Sequence, residues 1–220
     1  MTDFSIIQSV GAPLPLNNLD TDQIMPKQFL LGIDKSGLAH GVLHDLRFDA
    51  FEVPRANFVL NQPAYSGANI LVAGSNFGCG SSREHAVWGL MQIGIRAVIA
   101  ASFGEIFYFN AANNRLLLVT LPEDAVSELM REISDPASSG LVIDVAREVV
   151  ISASGKEYGF SLPARQKSMY LEGLDMVGAT LKQLPQIEAF EQAHWASNPW
   201  MKVDLPTMRN FLPSWAGSLV

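Results

Sequence analysis

Apolar and polar positions alternate with changing period along this chain, and the changes mark its elements. Residues 69–74, Asn-Ile-Leu-Val-Ala-Gly, form a short apolar run bounded by turn residues, the pattern of a strand buried on both faces. A glycine-rich stretch follows over 75–82, then a helical pattern from Arg83 to about Ile93 that sets Val87, Leu90, Met91 and Gly94 on one face. Ala97-Val-Ile-Ala-Ala101, an amphipathic segment over 103–110, the run Leu116-Leu-Leu-Val-Thr-Leu121 and a helix over 124–133 continue the alternation. Strands separated by helices predict parallel βαβ units.

After Pro136-Ala-Ser-Ser-Gly140 the period becomes two. Residues 141–146, 148–152 and 158–162 predict antiparallel strands, the last two joined by Ser154-Gly155-Lys156. Helical patterns return over 164–172 and 184–195. The first 60 residues differ: Gly11 to Pro15, Asn17 to Asp22, Pro26, Gly32, Gly37 and Gly41 interrupt any long element, predicting short strands, loops and one helical turn near 27–31. Residues 195–220 hold three of the four tryptophans among Pro199, Pro206 and Pro213, which excludes a long helix there.

With 220 residues, 48% of them hydrophobic and 17% charged, the chain has a globular composition. Fifteen Lys and Arg against 22 Asp and Glu give a net charge of −7, the wrong sign for binding nucleic acid through its phosphates. A single cysteine, Cys79, excludes an internal disulfide and any zinc or iron–sulfur site built from several thiolates of this chain. No basic-then-apolar leader opens the sequence, and no apolar run approaches the ~18 residues of a membrane span, so a cytoplasmic protein with no membrane association is expected.

Candidate chemistry concentrates in Gly74-Ser-Asn-Phe-Gly78-Cys79-Gly80-Ser81-Ser82-Arg83-Glu84-His85-Ala86, between a strand and a helix N-terminus. That position suits an anion, because backbone N–H groups are unpaired there and the helix dipole is positive. The motif is neither a Walker A loop nor a dinucleotide fingerprint, and no Gly-x-Ser-x-Gly elbow frames Ser81 or Ser82. Two readings of Ser81 fit the residues alone: a capping box, Ser81-x-x-Glu84, and a hydroxyl whose alkoxide is stabilised by backbone donors and Arg83. Arg83 also suits bidentate capture of a carboxylate. Cys79 reads as a small residue in a tight loop before it reads as a reactive thiol, and His85 as a structural hydrogen-bonder; neither has partners at metal-ligand spacing, and no metal site is expected on this chain. In the second cluster, Asn17 to Asp22, the carboxylates of Asp20 and Asp22 fit Asx-type turns or the orientation of an arginine. Arg47, in Leu46-Arg-Phe-Asp, is a further candidate cation for a substrate, or a solvated surface residue.

Gly78-Cys-Gly-Ser-Ser-Arg-Glu-His-Ala86 resembles the signature of the swivelling domain of the aconitase family. Residues 18–29, Asp45-Leu-Arg-Phe48, Asn57-Phe-Val-Leu-Asn61, Ala97-Val-Ile-Ala100 and 173–181 are similar, in order, to the small subunits of bacterial 3-isopropylmalate dehydratases. The resemblance implies an α/β, aconitase-like swivelling domain over 1–195, three-layer β/β/α with a partly parallel central sheet, and a tail, 196–220, outside the resemblance. It implies isomerisation of 2-isopropylmalate and 3-isopropylmalate by dehydration and rehydration in leucine biosynthesis. It also implies a large-subunit partner, in a heterodimer or higher assembly, that carries the [4Fe-4S] cluster this chain does not bind. By position, Ser81 matches the family's catalytic base, Ser82 and Arg83 match substrate-carboxylate contacts, and Thr21 and Asp22 match cleft residues, Asp22 holding Arg83. The loop Phe29 to Gly37 matches the segment that reads the substrate side chain, with Leu30 and Leu31 against the isopropyl group. Departures stand at Ala101, where a proline is usual, and at Asn114-Arg115-Leu-Leu-Leu118, where Asn-Gly-Leu-Leu-Pro is usual. They leave open a hydro-lyase acting on a methyl-substituted malate such as citramalate or 2,3-dimethylmalate. A third alternative is a non-catalytic carboxylate-binding module.

Overall fold

A computed structural model describes residues 5–30 and 35–201. By proximity the chain divides into two compact units, Met1–Met176 and Val177–Val220. The first holds a seven-stranded sheet, in chain order β1 (Ile6–Leu14), β2 (Ile70–Ala73), β3 (Ala97–Ala100), β4 (Leu117–Thr120), β5 (Gly140–Asp144), β6 (Val149–Ser152) and β7 (Glu157–Gly159). Their spatial order is β4-β3-β2-β1-β5-β6-β7. Strands β1 to β4 are parallel and β5 to β7 antiparallel, so the change of period after residue 136 marks the change of sheet type.

Strand β1 corrects the sequence reading. Gly11 to Leu14 do not break it, and the strand ends before Pro15; Ile6–Val10 pair with β5 and Gly11–Leu14 with β2. Gly11 and Pro13 therefore mark the point where the strand changes neighbours. Pro13 lies past the last β5 pair, where β1 has one strand neighbour and a missing N–H is tolerated.

The connection between β1 and β2 carries two single-turn helices, α1 (Thr21–Ile24) and α2 (His44–Arg47), and several 3-10 turns, among them Lys27–Phe29 where one helical turn was expected. Helices α3 (Glu84–Gln92), α4 (Glu105–Asn114) and α5 (Glu123–Ile133) then alternate with β2 to β4, and α6 (Ala164–Leu171) closes the unit. Helix α7 (Met176–Leu181) begins at the last residue of the first unit, and α8 (Leu184–Ser197) of the second accommodates Pro185 in its first turn and buries none of its residues.

Because side chains alternate along a strand, the parallel half has two buried faces. On one, Leu71, Ala73, Val98, Ala100 and Leu118 pack with Val87 and Leu90 of α3, Phe107 and Ala111 of α4, and Leu19, Ile24 and Met25. On the other, Ile70, Val72, Ala97, Ile99 and Val119 join Val126, Leu129 and Ile133 of α5 and Leu141, Ile143 and Val150 of the antiparallel strands. Each fully buried aliphatic side chain contributes about 1.5–3 kcal/mol. Gly94 is not on the helical face with Val87 and Leu90, and Met91 is exposed. Gly94, at φ 95°, ends α3 in a Schellman turn: its N–H donates to the Met91 carbonyl and the Ile95 N–H to that of Leu90.

Candidate active site

The loops that leave the carboxyl ends of β1, β2 and β3 converge, the position at which open parallel sheets build their sites. Leu19 accepts from the Gly78 N–H at 2.7 Å, Ser75 accepts from the Asn18 N–H at 2.8 Å, and Cys79 accepts from the Thr21 N–H at 2.9 Å. On the other flank the Phe77 N–H donates to Ser102 and the Gly104 N–H to Phe77. The loop between β2 and α3 is thus stitched on both sides by backbone bonds. Gly78 has φ 74°, and a Cβ there would lie 2.3 Å from the Phe107 ring, so only glycine meets both demands.

Asp20 caps α1. Its carboxylate accepts from the Gln23 N–H at 2.8 Å, and the Gln23 side chain accepts from the Asp20 N–H at 3.1 Å. A capping box therefore forms at Asp20-x-x-Gln23, and the one considered at Ser81-x-x-Glu84 does not form. Arg83 is the residue before α3, no side chain caps that helix, and the Glu84 carboxylate accepts instead from Asn114 Nδ2 of α4 at 2.6 Å.

Capping at Asp20 sets the two residues that follow. Thr21, buried, donates its hydroxyl to the Ser81 carbonyl at 2.8 Å. The Asp22 carboxylate forms an ion pair with Arg83 Nη1, and the same nitrogen donates to the Met25 carbonyl at 3.1 Å. The Arg83 side chain is 9% exposed. Both partners sit on Nη1, so the three N–H bonds of Nε and Nη2 are without a partner among the described residues. Ser81 and Ser82 are exposed, and their hydroxyls likewise have none among the described residues. The arrangement is a rigid loop that offers two hydroxyls, a pre-aimed guanidinium and the uncapped start of a helix to a negatively charged oxygen ligand.

The other expected residues are placed apart from this cluster or outside it. Arg47 Nη1 donates to the carbonyls of Ala39 and Val42 at 3.1 and 3.2 Å, its Nε is buried without a partner among the described residues, and burial lowers its pKa. Leu30 is half-buried against the core, and Leu31 lies outside the described residues. The Cys79 thiol donates to the Asn18 carbonyl at 3.4 Å. His85 packs its ring on Trp88, centroids 4.7 Å apart, and among the described residues the expected hydrogen bond is not formed.

Sequence reasoning missed one cluster. His40, His44 and Glu52 bring their ligand atoms within 4.8 Å of one another. The spacing His40-x-x-x-His44 is visible in the sequence, but Glu52 joins only through the turn at 49–52. Burial opposes the charging of His44, yet its bonds with Glu52 and Asp45 outweigh burial and raise its pKa above the usual 6.5; the bond from His44 holds the Glu52 carboxyl below its usual 4.5.

Residues 1–124 match the Aconitase C-terminal domain family. The chain is 58% identical over 208 residues to 3-isopropylmalate dehydratase small subunit 1 of Chromobacterium violaceum, covering 94% of this chain and 97% of that one. It is 46% identical over 205 residues to the 3-isopropylmalate dehydratase small subunit of Phenylobacterium zucineum, covering 92% and 99%. The crystal structure of 3-isopropylmalate dehydratase from Methanocaldococcus jannaschii superposes with a TM-score of 0.61 at 28% identity, covering 84% of this chain and 99% of the other.

Proposed function

This chain belongs to the aconitase family, among the small subunits of 3-isopropylmalate dehydratase, and we propose that it is the swivelling half of a hydro-lyase that isomerises 2-isopropylmalate and 3-isopropylmalate in leucine biosynthesis. The observation that carries the reading is the joining of the 17–22 and 74–83 loops around Ser81 and Arg83.

In this reading the substrate enters by its carboxylates. Arg83, fixed by Asp22 and Met25, turns Nε and Nη2 toward one of them, with Ser82 and the first N–H groups of α3 as further donors. Ser81, as alkoxide, removes the proton from the carbon beside a carboxylate. Hydroxide leaves the adjacent carbon, giving the unsaturated acid, and Ser81 then delivers its proton to the carbon that lost hydroxide as hydroxide adds to the carbon that lost the proton. A serine hydroxyl is a weak base in water, and Ser81 is exposed in this chain alone, so the reading requires a surface that covers it. A large subunit is the partner proposed to supply that cover. Leu30 and Leu31 are assigned to the isopropyl group, and Arg47, bound to backbone carbonyls, retains only a peripheral part in the substrate site.

Iron–sulfur clusters are held by several cysteine thiolates, and the one thiol here is engaged with the Asn18 carbonyl. The residues of this chain do not fit such a group. The [4Fe-4S] cluster of the reading therefore belongs to the large subunit. The proposal includes a cytoplasmic location; no helix among the described residues is long and apolar enough to cross a membrane. It takes residues 1–195 as the swivelling domain, followed by an extension.

The test mixes the chain with its anaerobically prepared large subunit and follows unsaturated-acid absorbance with 2-isopropylmalate, citramalate and 2,3-dimethylmalate. Turnover of 2-isopropylmalate that falls by about 10²-fold or more in Ser81→Ala, with the melting temperature unchanged, is expected. Turnover of another malate alone would reassign the substrate. Ligand binding with no turnover in any mixture would leave a carboxylate-binding module.

A further inference from the structure

We propose that His40, His44 and Glu52 form a site for a divalent transition metal, with Zn²⁺ the best match and one coordination position left to solvent. The site is separate from the Ser81 loop and stands on its own geometry.

The three residues come from the long connection between β1 and β2. His40 closes the 3-10 turn Leu38–His40, and His44 opens α2. Glu52 is delivered by a tight turn in which the Asp49 carboxylate accepts from the N–H groups of Phe51 and Val53 at 2.8 and 3.0 Å. Leu43, which precedes His44, and Glu52 hold left-handed backbone at φ 52° and 61°, an uncommon conformation for such side chains. The result is that Glu52 Oε2 lies 3.1 Å from His40 Nε2 and 3.0 Å from His44 Nε2. Tetrahedral zinc with bonds of about 2.0–2.1 Å sets its nitrogen and oxygen ligands roughly 3.3–3.4 Å apart, so the two Glu52 distances already match coordination, and the ligand atoms, all within 4.8 Å of one another, close on an ion by a shift of the exposed His40 side chain.

The surroundings fit a metal ligand set as well. His44 Nδ1 is 3.1 Å from Asp45 Oδ1, the carboxylate–histidine arrangement that places the proton on Nδ1 and leaves the Nε2 lone pair for a metal. Rings fix the two imidazoles: Phe29 and Phe48 lie 4.8 and 5.2 Å from His44, and 5.9 and 4.9 Å from His40. With neutral imidazoles, Glu52 and Asp45 give the cluster two negative charges to offset a dication. Two imidazoles and one carboxylate favour zinc, cobalt, nickel or copper over magnesium and calcium, which prefer all-oxygen shells. His40 and Glu52 expose 55% and 61% of their side chains, so an ion can enter and water can complete its shell. Occupied, the site ties the turn at 38–44 to the turn at 49–52. It does so against Phe29, the first residue of the loop assigned to the substrate side chain.

The test titrates the full chain with Zn²⁺ by calorimetry and counts bound metal by native mass spectrometry. The expected result is one Zn²⁺ per chain, not displaced by excess Mg²⁺, with affinity at least about tenfold weaker in His40→Gln and in Glu52→Gln. Both substituted side chains are exposed, so circular dichroism is expected to show an unchanged fold. Co²⁺ in the site should give the visible bands of nitrogen and oxygen coordination and no thiolate charge-transfer band. Absence of saturable uptake, uptake unaltered in both variants, or a thiolate band pointing to Cys79 would each overturn the proposal.

Discussion

The Asp22 carboxylate holds the Arg83 guanidinium, and both residues follow parallel strands that are neighbours in the sheet. Arg83 is nearly buried, whereas Asp22 is half exposed, so the pair is a means of aiming the arginine more than a large source of stability. Asp22→Ala is expected to lower stability by only about 1 kcal/mol. Its effect on turnover should be larger, through a raised KM for the dicarboxylate, since Arg83 keeps its charge but loses its orientation. Steady-state kinetics of the reconstituted enzyme beside a thermal melt separates the two quantities. Equal kinetics in variant and parent would remove Asp22 from the site.

Thr21 touches the proposed base through its main chain. Thr21→Val keeps the shape of a buried side chain but leaves the Ser81 carbonyl without its donor, which is expected to cost about 1–2 kcal/mol and to lower kcat. Thr21→Ser restores the hydroxyl and should recover most of the turnover. A Ser variant as impaired as Val would show that the lost methyl contact, and not the hydrogen bond, supports the loop.

Gly104 lies outside the signature, yet it sets how closely the third loop approaches the Ser81 loop. A Cβ at this position would stand 2.4 Å from the Gly78 carbonyl oxygen and 2.9 Å from Cys79 Cα, both backbone atoms that cannot turn aside. Gly104→Ala is expected to destabilise the protein by about 1–3 kcal/mol and to reduce activity with it. Denaturant titration gives the first number. A neutral result would mean that the loop yields without strain.

The His44–Glu52 pair predicts a pH dependence of stability. His44 binds its proton more tightly when folded, so its contribution is present below 6.5 and fades as pH rises through the raised folded value. Glu52 holds its proton less tightly when folded, so its contribution is present above 4.5 and fades as pH falls through the lowered value. The two coincide between 4.5 and 6.5. The melting temperature of Glu52→Gln, recorded in a metal chelator, should fall furthest below the parent within that window and approach it in alkaline buffer. A difference independent of pH would mean that the pair is not ionised as the geometry indicates.

Much of the protein is legible in its sequence, because buried parallel strands, amphipathic helices and a hairpin each impose a local period on neighbouring residues. The order of strand and helix from residue 69 onward and the antiparallel strands after 140 follow from such patterns, while the two residue clusters with chemical promise are read from residue types and their spacing. Contacts between distant segments do not follow from them. That Gly11 and Pro13 lie inside a strand depends on which neighbour β1 has at each point of its length. Whether Ser81 or Asp20 caps a helix depends on where the flanking loops are anchored, and residues 17–22 meet 74–83 only because β1 and β2 are adjacent and parallel. The meeting of His40, His44 and Glu52 rests on a turn held in left-handed backbone, for which neither period nor composition leaves a mark. Local periodicity determined the elements; the adjacency of strand ends, a property of the folded sheet alone, decided which side chains share a site.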